Sequence, residues 1–307
     1  MSHSTSPDGR AVLTAVACYT LWGLMPLLFM AMAQAGFGAP EILAHRAIWS
    51  VFVAGGLVLL VGQGAQARRV LGDPRTLGWL ALSALLIAIN WGVYVWATTH
   101  HATLEASLGY YINPLLNVAA GAVLFRERMD RWGAGAIALA AVGVAVQTAA
   151  LGHLPILSLI LALSFCAYGV IRKRVAADAA TGLFVECLVL LPFGVALLVW
   201  LETHGAGGVG FSSTTGLIWA LSSGLATVLP LVLFSSAARR LPLSTIGFIQ
   251  FLAPTLQFAC GVWAGEPFTL LRGVSFAFIW AGAGVFAFGA WRRSRVIREA
   301  IRESEPA

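Results

Sequence analysis

The sequence predicts an all-α polytopic membrane protein, with ten transmembrane helices arranged as two inverted repeats of five. Three observations predict this fold class: the composition, the lengths of the apolar segments and the positions of the basic residues. Of the 307 residues, 59% are hydrophobic and only 10% are charged. A soluble domain of this size does not need so much apolar surface. The lipid bilayer is therefore the first predicted partner of the chain.

Ten apolar segments are each long enough to cross the hydrocarbon core, which takes about 20 residues of helix. The first five lie at 11–34, 41–62, 77–99, 103–125 and 132–150. The second five lie at 154–171, 182–201, 214–237, 243–264 and 272–291. So little polar chain remains between these segments that no soluble domain is expected.

The basic residues are distributed as the positive-inside rule requires for ten crossings. With a cytoplasmic N-terminus, 17 of the 19 lysine and arginine residues fall on the cytoplasmic side, and only Arg46 and Arg272 fall elsewhere. This distribution predicts that both termini are cytoplasmic and that residues 292–307 form a basic cytoplasmic tail. The net charge of +6 then needs no nucleic acid to explain it.

A polar pattern recurs in the two halves of the chain. "GYYINPLLN" (109–117) aligns with "IQFLAPTLQ" (249–257) when Pro114 is placed on Pro254, an offset of 140 residues. This repetition predicts one five-helix repeat at 1–150 and a second at 151–291. Because five is odd, the second repeat enters the membrane from the opposite side, as in transporters built from inverted repeats.

The repeated stripe predicts a central cavity that binds a small molecule. Its polar members share one helix face in each half and are Tyr110, Asn113 and Asn117 in the first and Gln250 and Gln257 in the second. The prolines each free a carbonyl one turn back, and transporters use such irregularities near their substrate sites. In the alternative interpretation, the amides only hold helices together.

Four strings then carry a family resemblance: "EILAHRAIWS" (41–50), "NWGVYVWATTHHATLEASLGYYINPL" (90–115), "LSTIGFIQFLAPTL" (243–256) and "FAFIW" (276–280). They resemble the RarD subfamily of the drug/metabolite transporter superfamily, whose halves are called EamA domains. The resemblance covers nearly the whole chain. It implies a carrier of the bacterial inner membrane that works by alternating access and exports small metabolites or drugs.

Charged residues inside the apolar segments are candidates for coupling and gating, because such residues are costly in a membrane. Glu186 is a candidate proton carrier or counter-ion, unless an interhelical salt bridge to Lys173 or Arg174 keeps it ionised. Glu41, His45 and Arg46 begin the second segment on the outer side. They could receive an anionic group, form an outer gate, or make an interfacial salt bridge.

Aromatic and amide side chains complete the predicted substrate site. Asn90, Trp91 and Tyr94 share a face of the third segment and suit a planar, amphipathic molecule, although tryptophan is also common at membrane interfaces. Trp22 and Tyr168 occupy equivalent places in the two halves and are expected to close opposite ends of the cavity. Small residues at 133–146 and 281–290 suit close packing or a homodimer contact, away from the substrate path.

Enzyme signatures are absent from the sequence. There is no HExxH, no GxSxG and no glycine-rich phosphate loop, and Asp8, Asp73, Asp130 and Asp178 all fall in tails or cytoplasmic loops. The four cysteines have no paired spacing, so no metal or other cofactor is expected. A passive channel, a facilitator or a membrane-embedded enzyme remains the alternative to a secondary transporter, for which the coupling ion could be a proton.

Overall fold

Twelve helices make up the part of the chain that the computed structural model describes, which is residues 9–124, 131–238, 240–241 and 249–304. The first six are α1 (Gly9–Gln34), α2 (Ala39–Leu60), α3 (Gly64–Leu71), α4 (Pro74–Thr99), α5 (Thr103–Leu124) and α6 (Arg131–Leu151). The second six are α7 (Ile156–Arg174), α8 (Ala179–Thr203), α9 (Val209–Ser212), α10 (Thr214–Ala238), α11 (Leu252–Trp263) and α12 (Leu270–Ser304).

Seven of the described helices are long and apolar enough to cross a membrane, namely α1, α2, α4, α6, α8, α10 and α12. Helix α7 contains a shorter apolar stretch, Ile156–Arg172. The predicted class, an all-α protein that crosses the membrane several times, is thus confirmed. Each of the ten predicted segments contains one of the longer helices, but ten crossings remain a prediction. The segment predicted at 243–264 begins within 242–248, outside the described residues.

Local sequence explains where one of the membrane helices starts. Asp73 precedes α4, its carboxylate accepts a hydrogen bond from the backbone N–H of Arg75 (3.2 Å), and Pro74 occupies the first helical position. Both are standard signals for a helix N-terminus. The Thr76 hydroxyl also donates to this carboxylate, and these hydrogen bonds lower the pKa of Asp73 below its usual value.

The long helices other than α6 and α12 form an interlocked bundle. Helix α2 packs along α8 and α10, and α1 packs along α10 and α11. Helices α4 and α5 both pack on α7, α4 also contacts α8, and α5 contacts α11. Every one of these pairs joins a helix before residue 152 to a helix after it, so the two halves interdigitate.

Helices α6 and α12 form a separate pair that packs beside the bundle against α5. Ser275 donates to the backbone carbonyl of Gly143 over 2.8 Å. A Cβ at Gly282 would lie 2.9 Å from the carbonyl oxygen of Ala136, so only glycine allows this approach. This is the close packing that small residues favour in membranes. A homodimer contact on this pair remains a prediction.

Candidate functional site

Arg46 lies inside the helix bundle, with 4% of its surface exposed. Its Nε donates to the Thr227 hydroxyl of α10 over 2.8 Å. The guanidinium lies over the rings of Trp91 and Phe29, at 4.4 and 5.4 Å from their centroids. Among the described residues, Arg46 Nη1 has no hydrogen-bond partner and no carboxylate lies within 4.0 Å of the side chain.

The predicted amide and aromatic wall lies next to this guanidinium. The Tyr110 hydroxyl donates to Asn90 Oδ1 over 2.9 Å, and Asn90 Nδ2 donates to the Leu161 carbonyl and the Ser164 hydroxyl of α7. The rings of Tyr94 and Tyr110 meet edge to face at 5.4 Å, and Tyr94 meets the ring of Phe29, over which the guanidinium lies, at 6.0 Å. We call these residues the Arg46 cluster: Arg46, Asn90, Trp91, Tyr94 and Tyr110.

The structure separates Arg46 from Glu41 and His45, which were predicted to act with it. Glu41 Oε1 accepts the backbone N–H groups of Gly208 and Gly210 over 3.1 and 3.0 Å. His45 Nε2 lies 3.6 Å from the same oxygen. These two buried residues therefore fasten the loop before α10, whereas Arg46, on another face of α2, points into the bundle.

Glu186 is buried, with 1% of its surface exposed, and has several partners. The Ser83 hydroxyl of α4 donates to Oε1 over 2.5 Å, and the Tyr168 hydroxyl of α7 donates to Oε2 over 3.2 Å. Arg172 Nε lies 3.7 Å from Oε1. The ion pair that was predicted as the alternative to proton transfer is thus present, and Arg172 makes it. The predicted partners were Lys173 and Arg174, and the side chain of Lys173 lies outside the described residues.

The predicted polar stripe has mixed surroundings. Gln257 is buried and its Nε2 donates to the Trp22 carbonyl over 3.2 Å, which links α11 to α1. Asn113 is buried, Gln250 is half-buried, and neither Asn113 Oδ1 nor Gln257 Oε1 has a partner among the described residues. In this conformation Gln257 holds two helices together, the role that the alternative interpretation gave it. The side chains of Pro114 and Asn117 lie outside the described residues.

The two prolines occupy different backbone settings. Helix α5 continues through position 114. Gln250 and Phe251 instead form a turn, and the buried Pro254 lies in the first turn of α11, which begins at Leu252. A proline is tolerated there because the first backbone N–H groups of a helix have no intrahelical acceptor.

Comparisons with known proteins decide the family. The chain is 42% identical over 287 residues to an uncharacterized transporter of Pseudomonas aeruginosa, covering 93% of this chain and 96% of that protein. It is 39% identical over 282 residues to the protein RarD of Escherichia coli K12, covering 92% of this chain and 95% of that protein. The chain belongs to the RarD family. No family model matches the sequence.

A solved structure shares the fold with this RarD-family chain. It superposes with a TM-score of 0.59, covers 93% of this chain and 99% of its own, and is 19% identical in sequence. At that identity the likeness concerns the fold alone. The names of the RarD relatives place the chain among membrane transporters and point away from enzymes.

Sequence reasoning missed several partners at the RarD-family site. Ser83, Thr227 and Arg172 contact Arg46 or Glu186, yet each lies far along the chain or on another helix from the group that it contacts. Glu266 was not among the predicted site residues. Its carboxylate accepts the backbone N–H groups of Thr103 and Leu104 over 2.6 and 2.8 Å, and so caps the start of α5.

Proposed function

We propose that the chain is a secondary transporter of the bacterial inner membrane that exports small amphipathic metabolites or drugs by alternating access. The observation that carries this proposal is the symmetry of the helix contacts. We pair each helix of the first half with one of the second: α1 with α7, α2 with α8, α4 with α10, α5 with α11 and α6 with α12. When paired helices are exchanged, the contact between α1 and α10 becomes the observed contact between α7 and α4. In the same way, the contact between α2 and α10 becomes that between α8 and α4, and the contact between α5 and α7 becomes that between α11 and α1.

Three further contacts map onto themselves under this exchange: α2 with α8, α5 with α11, and α6 with α12. A contact map with this property supports two repeats of five helices related by an approximate twofold axis. If each repeat crosses the membrane five times, the second repeat is inverted and the total is ten crossings. Both termini then lie on the same side, and the distribution of basic residues favours the cytoplasm. Inverted repeats can adopt each other's conformations, which opens a central site alternately to the two sides.

The Arg46 cluster is the proposed substrate site because both halves contribute to it. Helices α2, α4 and α5 supply its five members, and α7 and α10 supply the polar partners Leu161, Ser164 and Thr227. Four of the five members are buried and Tyr110 is half-buried. Under alternating access, movement of the helices would open this site to each side of the membrane in turn.

A proton is the proposed coupling ion, with Glu186 as its carrier. In the described conformation Arg172 Nε lies 3.7 Å from this carboxylate and favours its ionised form. The proton would bind more readily in a conformation in which Arg172 has moved away, which would link protonation to the movement of α7 against α8.

Counterflow in proteoliposomes tests the transport proposal. The purified full-length protein is reconstituted, and labelled solutes identified by comparing the metabolites of deletion and overexpression strains are supplied outside. A carrier accelerates uptake when the unlabelled solute is present inside. Uptake that ignores the solute inside would indicate a channel or facilitator, and a chemically altered product would indicate an enzyme.

A further inference from the structure

Arg46 is a cation in the interior of a membrane protein without an anionic partner among the described residues. Burying an ion without neutralising it costs several kcal/mol, so intramembrane charges usually pair with each other or serve function. Thr227 supplies a neutral hydroxyl, and the rings of Trp91 and Phe29 supply cation–π attraction. These contacts offset part of the cost and leave the net positive charge in place.

The nearby carboxylates are committed elsewhere. Glu41 accepts two backbone N–H groups from the loop before α10 and contacts His45. Glu186 contacts Ser83, Tyr168 and Arg172. Neither carboxylate lies within 4.0 Å of Arg46, so an anion that neutralises Arg46 has to come from outside the described part of the chain.

Two donors beside this charge have nothing to donate to. Arg46 Nη1 and the Tyr94 hydroxyl are both buried and have no hydrogen-bond partner among the described residues. A guanidinium can only donate, and the tyrosine hydroxyl can donate as well. A ligand that accepts both hydrogen bonds and carries a negative charge would satisfy the two groups together, and carboxylates form strong charge-assisted hydrogen bonds of this kind.

We infer that Arg46 binds the anionic group of the transported solute and that this solute is a small amphipathic monocarboxylate. The inference rests on the proposed transport function and assigns its substrate class. A single negative charge matches the one positive charge of the Arg46 guanidinium, whereas a dianion such as phosphate would leave a buried negative charge. The rings of Phe29 and Trp91 lie over the guanidinium, Tyr94 meets Phe29 edge to face, and Tyr110 meets Tyr94. This aromatic surface suits an apolar body behind the carboxylate.

Equilibrium binding to the purified full-length protein in detergent tests this assignment. The probe is radiolabelled benzoate, and the unlabelled competitors are indole-3-acetate, benzamide and benzylamine. Benzamide has the shape of benzoate without its charge, and benzylamine carries the opposite charge. We expect saturable benzoate binding that indole-3-acetate reduces and the other two competitors do not.

The substitution Arg46→Gln should weaken benzoate binding about tenfold or more, because it removes a charge-assisted hydrogen bond and the neutralising charge. Arg272→Gln is the matched control, since it removes the same charge from a side chain that contacts the Pro267 carbonyl at the start of α12. It should bind benzoate as the parent does. Tyr94→Phe removes one hydroxyl without changing the charge and should weaken binding by a smaller factor.

Several outcomes would overturn the inference. They are absence of binding of either carboxylate, equal competition by benzamide, and unchanged benzoate affinity in Arg46→Gln. If Arg46→Gln does not give a monodisperse protein, unchanged benzoate affinity in Tyr94→Phe overturns the inference. Counterflow of neutral solutes alone would retain the transport proposal and reject the carboxylate. Arg46-dependent benzoate binding without solute exchange would retain the carboxylate assignment and reject the transport proposal.

Discussion

Arg46 and Glu186 are both buried, and they occupy equivalent positions under the proposed repeat. The offset of 140 residues that places Pro114 on Pro254 also places Arg46 on Glu186. Each side chain lies two turns into its helix, α2 or α8, and each contacts a hydroxyl from the other half, Thr227 for Arg46 and Ser83 for Glu186.

Their remaining surroundings differ. Glu186 has a second hydroxyl and an arginine, so its charge is neutralised within the protein. Arg46 has aromatic rings and an unpartnered nitrogen. The comparison teaches that positions equivalent under the proposed repeat can diverge in role. A charge that is paired internally contributes to the fold, and one that is left unpaired is available to a ligand.

The largest expected change in stability comes from removing Arg172, the charged partner of Glu186. Arg172→Leu leaves a buried carboxylate without its ion pair, which should lower the free energy of unfolding by about 3 kcal/mol. Thermal denaturation in detergent measures this loss. The double variant Arg172→Leu with Glu186→Gln should recover most of it, and a single variant as stable as the parent would show that the pair has no structural role.

Glu186→Gln should have a smaller effect on stability, about 1 kcal/mol. Glutamine keeps nearly the same volume and can still contact Ser83 and Tyr168, while Arg172, with 14% of its side chain exposed, can turn toward water. If Glu186 carries the coupling proton, the variant should exchange solute but no longer concentrate it when a pH difference is imposed. Accumulation at the parental rate would exclude Glu186 as the coupling residue.

Gln257→Leu extends the comparison to an amide that is only partly satisfied. The variant loses the hydrogen bond to the Trp22 carbonyl, a loss of about 1 kcal/mol, and it also loses an unpartnered oxygen. If that oxygen faces solute, transport should fall while membrane insertion is unchanged. Asn117→Leu should behave alike if the repeats are equivalent. Normal transport in both variants would leave the amides as helix contacts.

Arg46→Met should give the smallest change in stability, at most about 1 kcal/mol, and in the stabilising direction. Replacing a buried charge by an apolar side chain of similar length is often neutral or favourable. The variant should nevertheless lose benzoate binding. A strong drop in its thermal midpoint would mean that Arg46 has a structural partner, and the contrast with Glu186 would then disappear.

The fold class could be predicted from sequence because it depends on hydrophobicity along the chain, which is a local property. The burial of Glu186 was predictable for the same reason, since an acidic side chain within an apolar membrane segment faces the protein interior and not the lipid. Its partner was not predictable, because three successive basic residues precede α8 and the packing of α7 is what brings Arg172 to Glu186.

Arg46 shows a different limit. The segment was predicted to begin at residue 41, which placed Arg46 near the membrane surface with Glu41 and His45. The helix begins at Ala39, and the facing of its side chains depends on the loop at 208–210 and on α10, both from the other half. The aromatic rings around Arg46 come from α1 and α4, and no pattern within α2 indicates them.

Glu266 links the end of α11 to the start of α5. Its carboxylate binds the first backbone N–H groups of α5 from the end of α11, so the start of one helix is fastened to the end of the other. Two helices joined at one end separate most readily at the opposite end. Any opening between α5 and α11 should therefore swing about Glu266, with the largest displacement near Leu124 and Leu252.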